Sequence, residues 1–140
     1  MEISRNREDF TVTTPVTLRY SDQDPMQHIN NVAIAAILES GRVGLLHHIF
    51  EGVDFPDNRM VLGRVSIDYL REVTYPGTVD VCGRLVRVGN RSFTSQYGLF
   101  QNGECRVVSE STNVFFDPEK RISREPEPEI RAHLMAQVAG

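Results

Sequence analysis

The sequence predicts an α+β domain in which an antiparallel sheet is wrapped around one long central helix. Three features indicate this class: an alternating segment at 10–20, an apolar helical segment at 31–50, and four strand-like segments between 60 and 116. The connections between the last four segments are short. Short connections join antiparallel strands, because a parallel crossover needs a dozen residues or more. A strand, a helix and four further strands therefore form an α+β domain rather than repeated βα units.

The first predicted strand is residues 10–20, where apolar and polar side chains alternate. Val12 and Val16 fall on one face of this strand and Thr13 falls on the other, which indicates a half-buried strand. Pro15 cannot donate a ladder hydrogen bond, so the strand is expected at the edge of the sheet or at a bulge.

Residues 31–50 form the predicted central helix. Every residue from 32 to 38 is apolar, and a helix that is apolar all round is buried on most sides. Asn30 is the expected N-cap, since its side-chain oxygen can accept from an amide in the first turn. A single sheet cannot cover such a helix on every side. We therefore expect a second subunit, in a homodimer or homotetramer.

Four strands are predicted after the helix. The Asn102-Gly103 pair is the strongest hairpin signal in the chain, because both residues accept the positive φ angles of a tight turn. The predicted strands are 60–70, 78–88, 92–100 and 104–116.

The chain length fits one domain, residues 1–140. Its core is expected at about 10–118. The tail, 119–140, is expected to carry a short helix at about 129–138, where apolar residues recur at helical spacing.

The bulk composition excludes several classes of protein. A net charge of −4 gives no electrostatic footprint for nucleic acid. The chain has no run of about 18 apolar residues, so we expect no membrane-spanning segment. The first residues lack the apolar core of a signal peptide, which predicts a cytoplasmic protein. Cys82 and Cys105 fall in separate strands and are expected to be buried thiols.

The most informative stretch is residues 22–31, DQDPMQHINN, which lies directly before the apolar helix. It places Asp22, Asp24, His28 and two amides within ten residues. Groups that donate, accept and titrate protons thus lie at the start of a buried helix, which indicates an active site.

This stretch resembles the signature of hotdog-fold acyl thioesterases, in particular the 4-hydroxybenzoyl-CoA thioesterase-like group. In that group an R-[YF]-x-D-x-D segment leads into G-H-V-N-N and the central helix; here the matching residues are 19–24 and 28–31. The segments 65–71 and 89–93 resemble the second strand of the family and its G-x-x-S-F hairpin. The resemblance covers roughly residues 10–118.

The resemblance implies a hotdog fold and the hydrolysis of an acyl-CoA thioester without a cofactor. It also implies that Asp24, the second aspartate of the D-x-D pair, is the catalytic carboxylate. The sequence departs from the family at two positions. Gln27 stands where many relatives have glycine, and Met26 stands where the similar acyl-ACP thioesterases have asparagine.

Thioester hydrolysis needs a nucleophile or an activated water, together with a donor to the oxygen that becomes negative. Asp24 could attack the carbonyl or deprotonate water, and the first amides of the helix could polarise the carbonyl. His28 could orient water, donate to the carbonyl or only brace the loop. Asn30 and Asn31 are capping or loop-bonding residues by their position, and the amide of either could contact the substrate.

Each candidate also has a purely structural interpretation. Asp24 could be a turn aspartate, and Asp22 is expected to bond backbone amides and shape the loop. A metal site built from Asp22, Asp24 and His28 would need a fourth ligand that the sequence does not supply nearby, so no metal is expected. The chain has no G-x-S-x-G elbow, which argues against a serine nucleophile.

Basic residues near the pocket are candidates for contacts with the phosphates of CoA. Arg71 and the turn of Asn90, Arg91 and Ser92 are the predicted substrate-binding residues, the turn because it resembles the family hairpin. A non-catalytic module that binds acyl-CoA or an acyl-carrier-protein ester with the same fold is the alternative function.

Overall fold

The computed structural model describes residues 2–56 and 59–138. The long elements follow the predicted order, and the predicted central helix and all five long strands are confirmed. The helices and strands are β1 Val12–Thr17, α1 Asn31–Ile49, β2 Met60–Tyr69, β3 Thr78–Val88, β4 Ser92–Gln101, β5 Glu104–Asp117, β6 Ile122–Ser123 and α2 Pro128–Met135.

The sheet is antiparallel throughout, with the strand order β1-β3-β4-β5-β2 and with the short β6 paired to β5. Pro15 lies in β1, which within the described part of the chain pairs only with β3, so the missing N–H is tolerated at this edge as predicted. Asn102 and Gly103 have φ angles of 53° and 78°, which confirms the predicted hairpin turn between β4 and β5.

The helix α1 packs mainly on β1, β3 and β4. Its apolar side chains Ile34, Leu38 and Leu45 are almost completely buried in this contact. Gly41 lies against Val81 of β3 so closely that an added Cβ would overlap that side chain. The close approach of helix and strand therefore depends on a glycine at this position.

One chain leaves part of α1 exposed. The segment 32–38 is apolar at every position, yet Val32, Ala35 and Ala36 are exposed, and Val32 keeps 81% of its surface accessible. The sheet contacts one face of the helix, and no described residue covers the opposite face of its first turns. α1 also has the length and mean hydropathy, 1.3 over its best window, of a membrane span, although it packs on the sheet as a core helix does.

The tail folds back onto the end of α1. The side-chain amide of Gln137 donates to the carbonyl oxygen of Ile49, the last residue of α1, and His133 Nε2 lies within hydrogen-bonding distance of the same oxygen. These bonds satisfy a carbonyl that has no partner within the helix. The predicted tail helix is therefore confirmed as α2, and it is docked. Cys82 is buried and Cys105 is partly buried, and both are free thiols.

Candidate active site

Asp24 closes a tight turn immediately before α1. Its Oδ1 accepts hydrogen bonds from the backbone N–H of Met26 at 2.9 Å and of His28 at 3.1 Å. The Asp24 N–H donates to the His28 carbonyl oxygen at 2.8 Å. Oδ1 therefore has the structural role of a turn aspartate, as one of the two interpretations of Asp24 predicted. Among the described residues, Oδ2 has no hydrogen-bond partner, which leaves one carboxylate oxygen for chemistry.

Gln27 occupies the left-handed region of backbone conformation inside this turn, with φ at 68°. Glycine reaches this region without steric cost, whereas other residues reach it at a cost of about 1 kcal/mol or more. This gives a physical reason for the glycine that many members of the resembled family carry at the position. Gln27 keeps the turn, and its N–H donates to the Asp24 carbonyl oxygen at 2.9 Å.

Asp22 supports the loop from beneath, as predicted. Its side chain is buried and accepts from the backbone N–H of Arg19 at 2.9 Å and from the Arg19 guanidinium at 2.8 Å. The hydrogen bond from this guanidinium lowers the pKa of the Asp22 carboxyl below its ordinary value. The Asp22 carbonyl oxygen also accepts from the N–H of Asn30, which ties the loop to the start of α1.

The loop is held to the sheet through residues 73–74. The Ile29 N–H donates to the Val73 carbonyl oxygen at 2.8 Å, and His28 forms an antiparallel bridge with Thr74. The side-chain amide of Gln101 bonds both backbone groups of Thr74, at 2.7 Å and 3.1 Å. Gln101 thus fixes Thr74, and Thr74 in turn positions the loop that carries His28. Nothing in the sequence pattern pointed to this role.

The start of α1 has the predicted cap. The Oδ1 atom of Asn30 accepts from the Ala33 N–H at 2.8 Å, so the N-cap is confirmed and this oxygen is not available to a substrate. The N–H groups of Asn31 and Val32 have no acceptor among the described residues. These two amides lie at the positive end of the helix dipole, where an oxyanion is stabilised.

The candidate catalytic side chains meet in one cleft, which we call the Asp24 cleft. Asp24, His28 and Asn31 all line it, and its volume is about 380 Å³. Its opposite wall comes from Tyr69 and Arg71, at and just beyond the end of β2. The structure therefore brings together the three residues that the sequence predicted to act together. The structure also places Tyr69 in the wall of this cleft. In the sequence, Tyr69 was only one apolar position of an alternating strand.

A second open cleft of about 530 Å³ adjoins the Asp24 cleft and shares Asp24 and Asn31 with it. The exposed apolar side chains of Val32 and Ala36 form one part of its wall, and Arg19, Ser21 and Asn30 form another. The second cleft thus combines an apolar surface with polar side chains beside the carboxylate.

Arg71 is the predicted substrate-binding residue that lies in the Asp24 cleft. Its side chain is 67% exposed and lies 3.4 Å from Glu104, in a cluster with Arg106. An exposed guanidinium with one loose ion pair can exchange that partner for a phosphate group at little cost.

The predicted turn of Asn90, Arg91 and Ser92 lies elsewhere. Ser92 is the first residue of β4, whereas Gln101, which holds Thr74 beside His28, is its last residue. Nine residues of extended strand span about 30 Å. Within one chain, the turn is therefore at the opposite end of the sheet from Asp24 and does not contribute to the Asp24 cleft.

Arg42 is a buried charge that the sequence did not predict. It is 8% exposed on α1, and its guanidinium donates to the Ser111 hydroxyl of β5 at 3.2 Å. Nearby, burial raises the pKa of Tyr97 to about 12, and the Tyr97 hydroxyl lies 2.8 Å from the Ser95 hydroxyl. Arg42 and Ser111 thus form a buried polar contact between α1 and β5.

A comparison with protein families matches residues 18–138 to the thioesterase-like superfamily. No curated protein matches the sequence. A predicted thioesterase from Bacillus stearothermophilus is similar, with 30% identity over 90% of this chain and 95% of that one and a TM-score of 0.80.

Two further solved structures show the same fold. A thioesterase from Thermus thermophilus, complexed with coenzyme A and Zn, has 24% identity over 89% of this chain and 98% of that one, with a TM-score of 0.76. A thioesterase superfamily structure from Jannaschia sp. CCS1 covers 100% of both chains with 16% identity and a TM-score of 0.86. The predicted hotdog fold, a curled antiparallel sheet around one long helix, is confirmed by these similarities.

Proposed function

The chain belongs to the thioesterase-like superfamily, and from that premise we propose that it hydrolyses an acyl-CoA thioester to a free acid and CoA, with Asp24 as the catalytic carboxylate. The observation that carries this proposal is the meeting of Asp24, His28 and Asn31 in one cleft at the start of α1. A CoA ester as the substrate is supported by the coenzyme A bound in the similar Thermus thermophilus structure.

The reaction begins at Oδ2 of Asp24, because Oδ1 is engaged by the turn. In one route Oδ2 attacks the thioester carbon, the C–S bond breaks, CoA leaves as the thiolate, and water then hydrolyses the anhydride. In the other route Oδ2 takes a proton from water, and the resulting hydroxide attacks the same carbon. Both routes consume one water and release one acid and one thiol.

The carbonyl oxygen becomes negative in either route, and the start of α1 is the group that stabilises it. The N–H groups of Asn31 and Val32 lack acceptors among the described residues and are fixed by the Asn30 cap. Preorganised donors of this kind contribute about 3–4 kcal/mol to transition-state stabilisation when they are aimed at the oxyanion. His28 and the side chain of Asn31 would orient the ester or the water in the cleft.

The proposed enzyme is a homodimer or homotetramer. This is supported by the apolar surface that one chain leaves exposed: Val32 on α1, and Val65 and Tyr69 on β2, keep 81%, 39% and 49% of their surface accessible. Large apolar side chains left exposed on both α1 and β2 favour a contact with another molecule.

The test is a thiol-release assay on purified protein, with short, long and aromatic acyl-CoAs and an acyl-carrier-protein ester. With at least one ester we expect release of one thiol for each ester hydrolysed. Glu72→Gln is the matched control for Asp24→Asn. It also removes one negative charge from the same cleft, and it should change turnover little. Saturable binding of acyl-CoA by calorimetry, without thiol release across the whole panel, would instead identify a binding module.

A further inference from the structure

The hairpin of β4 and β5 holds the chain segment 70–74 through two side chains. Gln101, the last residue of β4, accepts from the Thr74 N–H at 3.1 Å and donates to the Thr74 carbonyl oxygen at 2.7 Å. Arg106 of β5 donates to the Glu72 carbonyl oxygen at 2.7 Å. We call the contacts of Gln101 with Thr74 and of Arg106 with Glu72 the hairpin clamp.

The clamped segment forms one wall of the Asp24 cleft and supports another. Its residues 70–73, Arg71 among them, line the cleft directly. The same segment holds the loop before α1, because the Ile29 N–H donates to the Val73 carbonyl oxygen and His28 forms a bridge with Thr74. A displacement of this segment therefore moves both the wall that carries Arg71 and the loop that carries His28.

The side chain of Gln101 acts at Thr74 as a neighbouring strand would. In an antiparallel ladder, a residue can exchange both its N–H and its carbonyl bonds with one residue of the adjacent strand. The side-chain amide of Gln101 supplies the same acceptor and donor. Gln101 is buried, and a buried amide that loses a partner is costly, so this pair of bonds fixes the backbone of Thr74 in one place.

We propose that Gln101 is a positioning residue for the reaction in the Asp24 cleft, and that it acts through Thr74 on the turn that carries Asp24 and His28. The inference rests on the proposed function, because it assigns Gln101 an effect on thioester turnover. Gln101 lies outside the described lining of the cleft, so its effect is indirect. A displacement of about 1 Å at a reacting group can lower a rate by about 10²-fold, so a fixed turn matters for Asp24.

Of the two clamp residues, Gln101 is the better one to vary. Arg106 also forms an ion pair with Glu104 at 2.6 Å, and Glu104 is the partner of Arg71. A substitution of Arg106 would therefore change the charges around a predicted phosphate contact as well as the clamp. Gln101 is neutral, so its substitution by another neutral residue alters only the hold on Thr74.

The first test is the turnover of Gln101→Met, which keeps the length of the side chain and removes both hydrogen bonds. We expect kcat to fall by about 10–100-fold while KM stays within about threefold, because the reacting groups move and the substrate contacts remain. Gln137→Met is the matched control. Gln137 also donates to a backbone carbonyl oxygen, that of Ile49, at the end of α1 remote from Asp24, so this variant should keep both constants within about twofold.

The second test is a pH-dependent rescue in Gln101→Glu. A protonated carboxyl can donate one hydrogen bond and accept another, as the amide does, whereas a carboxylate can only accept and would face the Thr74 carbonyl oxygen. The ratio of variant to wild-type kcat should therefore rise about tenfold as the pH falls from about 8 to about 5, the range in which a buried carboxyl titrates. Glu104 lies opposite position 101, and His28 is bridged to Thr74; the ratio at each pH removes the effect of their own titration on the wild-type rate.

Amide hydrogen exchange measured by NMR tests the positioning without any turnover. In Gln101→Met, the N–H groups of Ile29 and Thr74 should exchange about tenfold faster or more, whereas that of Leu45 within α1 should be unchanged. Faster exchange in a protein whose wild type releases no thiol would reject the thioesterase proposal and leave the clamp standing. Unchanged exchange would overturn the hold on the loop. Equal kcat values for Gln101→Met and Gln137→Met, or a Gln101→Glu ratio that does not vary with pH, would overturn the role of Gln101 in the reaction.

Discussion

Asp24 and the backbone of His28 are hydrogen-bonded in both directions. Asp24 Oδ1 accepts from the His28 N–H at 3.1 Å, and the Asp24 N–H donates to the His28 carbonyl oxygen at 2.8 Å. The residue proposed to perform the chemistry thus also builds the turn that places it. Variants of Asp24 must therefore be chosen so that the effect of losing the charge can be distinguished from the effect of losing the turn.

We expect Asp24→Ala and Asp24→Asn to differ in stability. Asparagine keeps an Oδ1 that accepts from Met26 and His28, whereas alanine removes both bonds. Two partly exposed bonds to backbone amides contribute about 1–2 kcal/mol together. Urea unfolding should show this loss for Asp24→Ala and less than about 0.5 kcal/mol for Asp24→Asn. Equal destabilisation by both variants would contradict the described turn.

Asn30→Ala should destabilise the protein by about 1 kcal/mol, because it removes the side-chain acceptor of the Ala33 N–H. The free energy of unfolding from urea denaturation measures the effect. Asn30→Asp is the matched control, since aspartate is an equally good cap and should leave stability nearly unchanged. If Asn30→Ala is as stable as wild type, the cap contributes nothing to the start of α1.

Gln27→Gly should raise the melting temperature by about 2–4 °C. Glycine adopts the left-handed conformation of residue 27 without strain. The strain energy that is removed should exceed the cost of the extra entropy that glycine has in the unfolded chain. Gln23→Gly, four residues earlier and in extended backbone, is the control and should lower the melting temperature. A lower melting temperature for Gln27→Gly would show that Gln27 is not strained.

The Arg19–Asp22 contact predicts a specific dependence of stability on pH. The folded pKa of Asp22 lies below its unfolded value of about 3.8, so its stabilisation is fully present above that pH and is lost as the pH falls through the folded pKa. Arg19→Ala removes the guanidinium and should move the midpoint of acid unfolding to higher pH. Arg87→Ala, on the exposed part of β3, should leave that midpoint unchanged.

Much of the fold follows from local patterns in the sequence. The alternation in β1 to β5, the hairpin at Asn102-Gly103, the edge position of Pro15 and the Asn30 cap are each set by neighbouring residues. Local chemistry decides these features, so the sequence alone predicts them.

Features that depend on distant contacts were missed. The apolar run 32–38 indicated burial on most sides, but which of its residues one chain leaves exposed, Val32 among them, depends on the face that the sheet covers. The Gln101 side chain holds Thr74 across 27 residues, which no local pattern encodes. The separation of Arg91 from Asp24 follows from the length of β4, because the Arg91 turn precedes its first residue whereas Gln101, its last residue, holds Thr74 beside His28.

The most direct test of the central claim is the turnover number of Asp24→Asn on the best acyl-CoA of the panel. The account predicts a fall in kcat of about 10²–10⁴-fold, since the charge is lost, together with an unchanged melting temperature, since the turn is kept. A kcat within about twofold of wild type in a folded Asp24→Asn protein would contradict the assignment of Asp24 as the catalytic carboxylate.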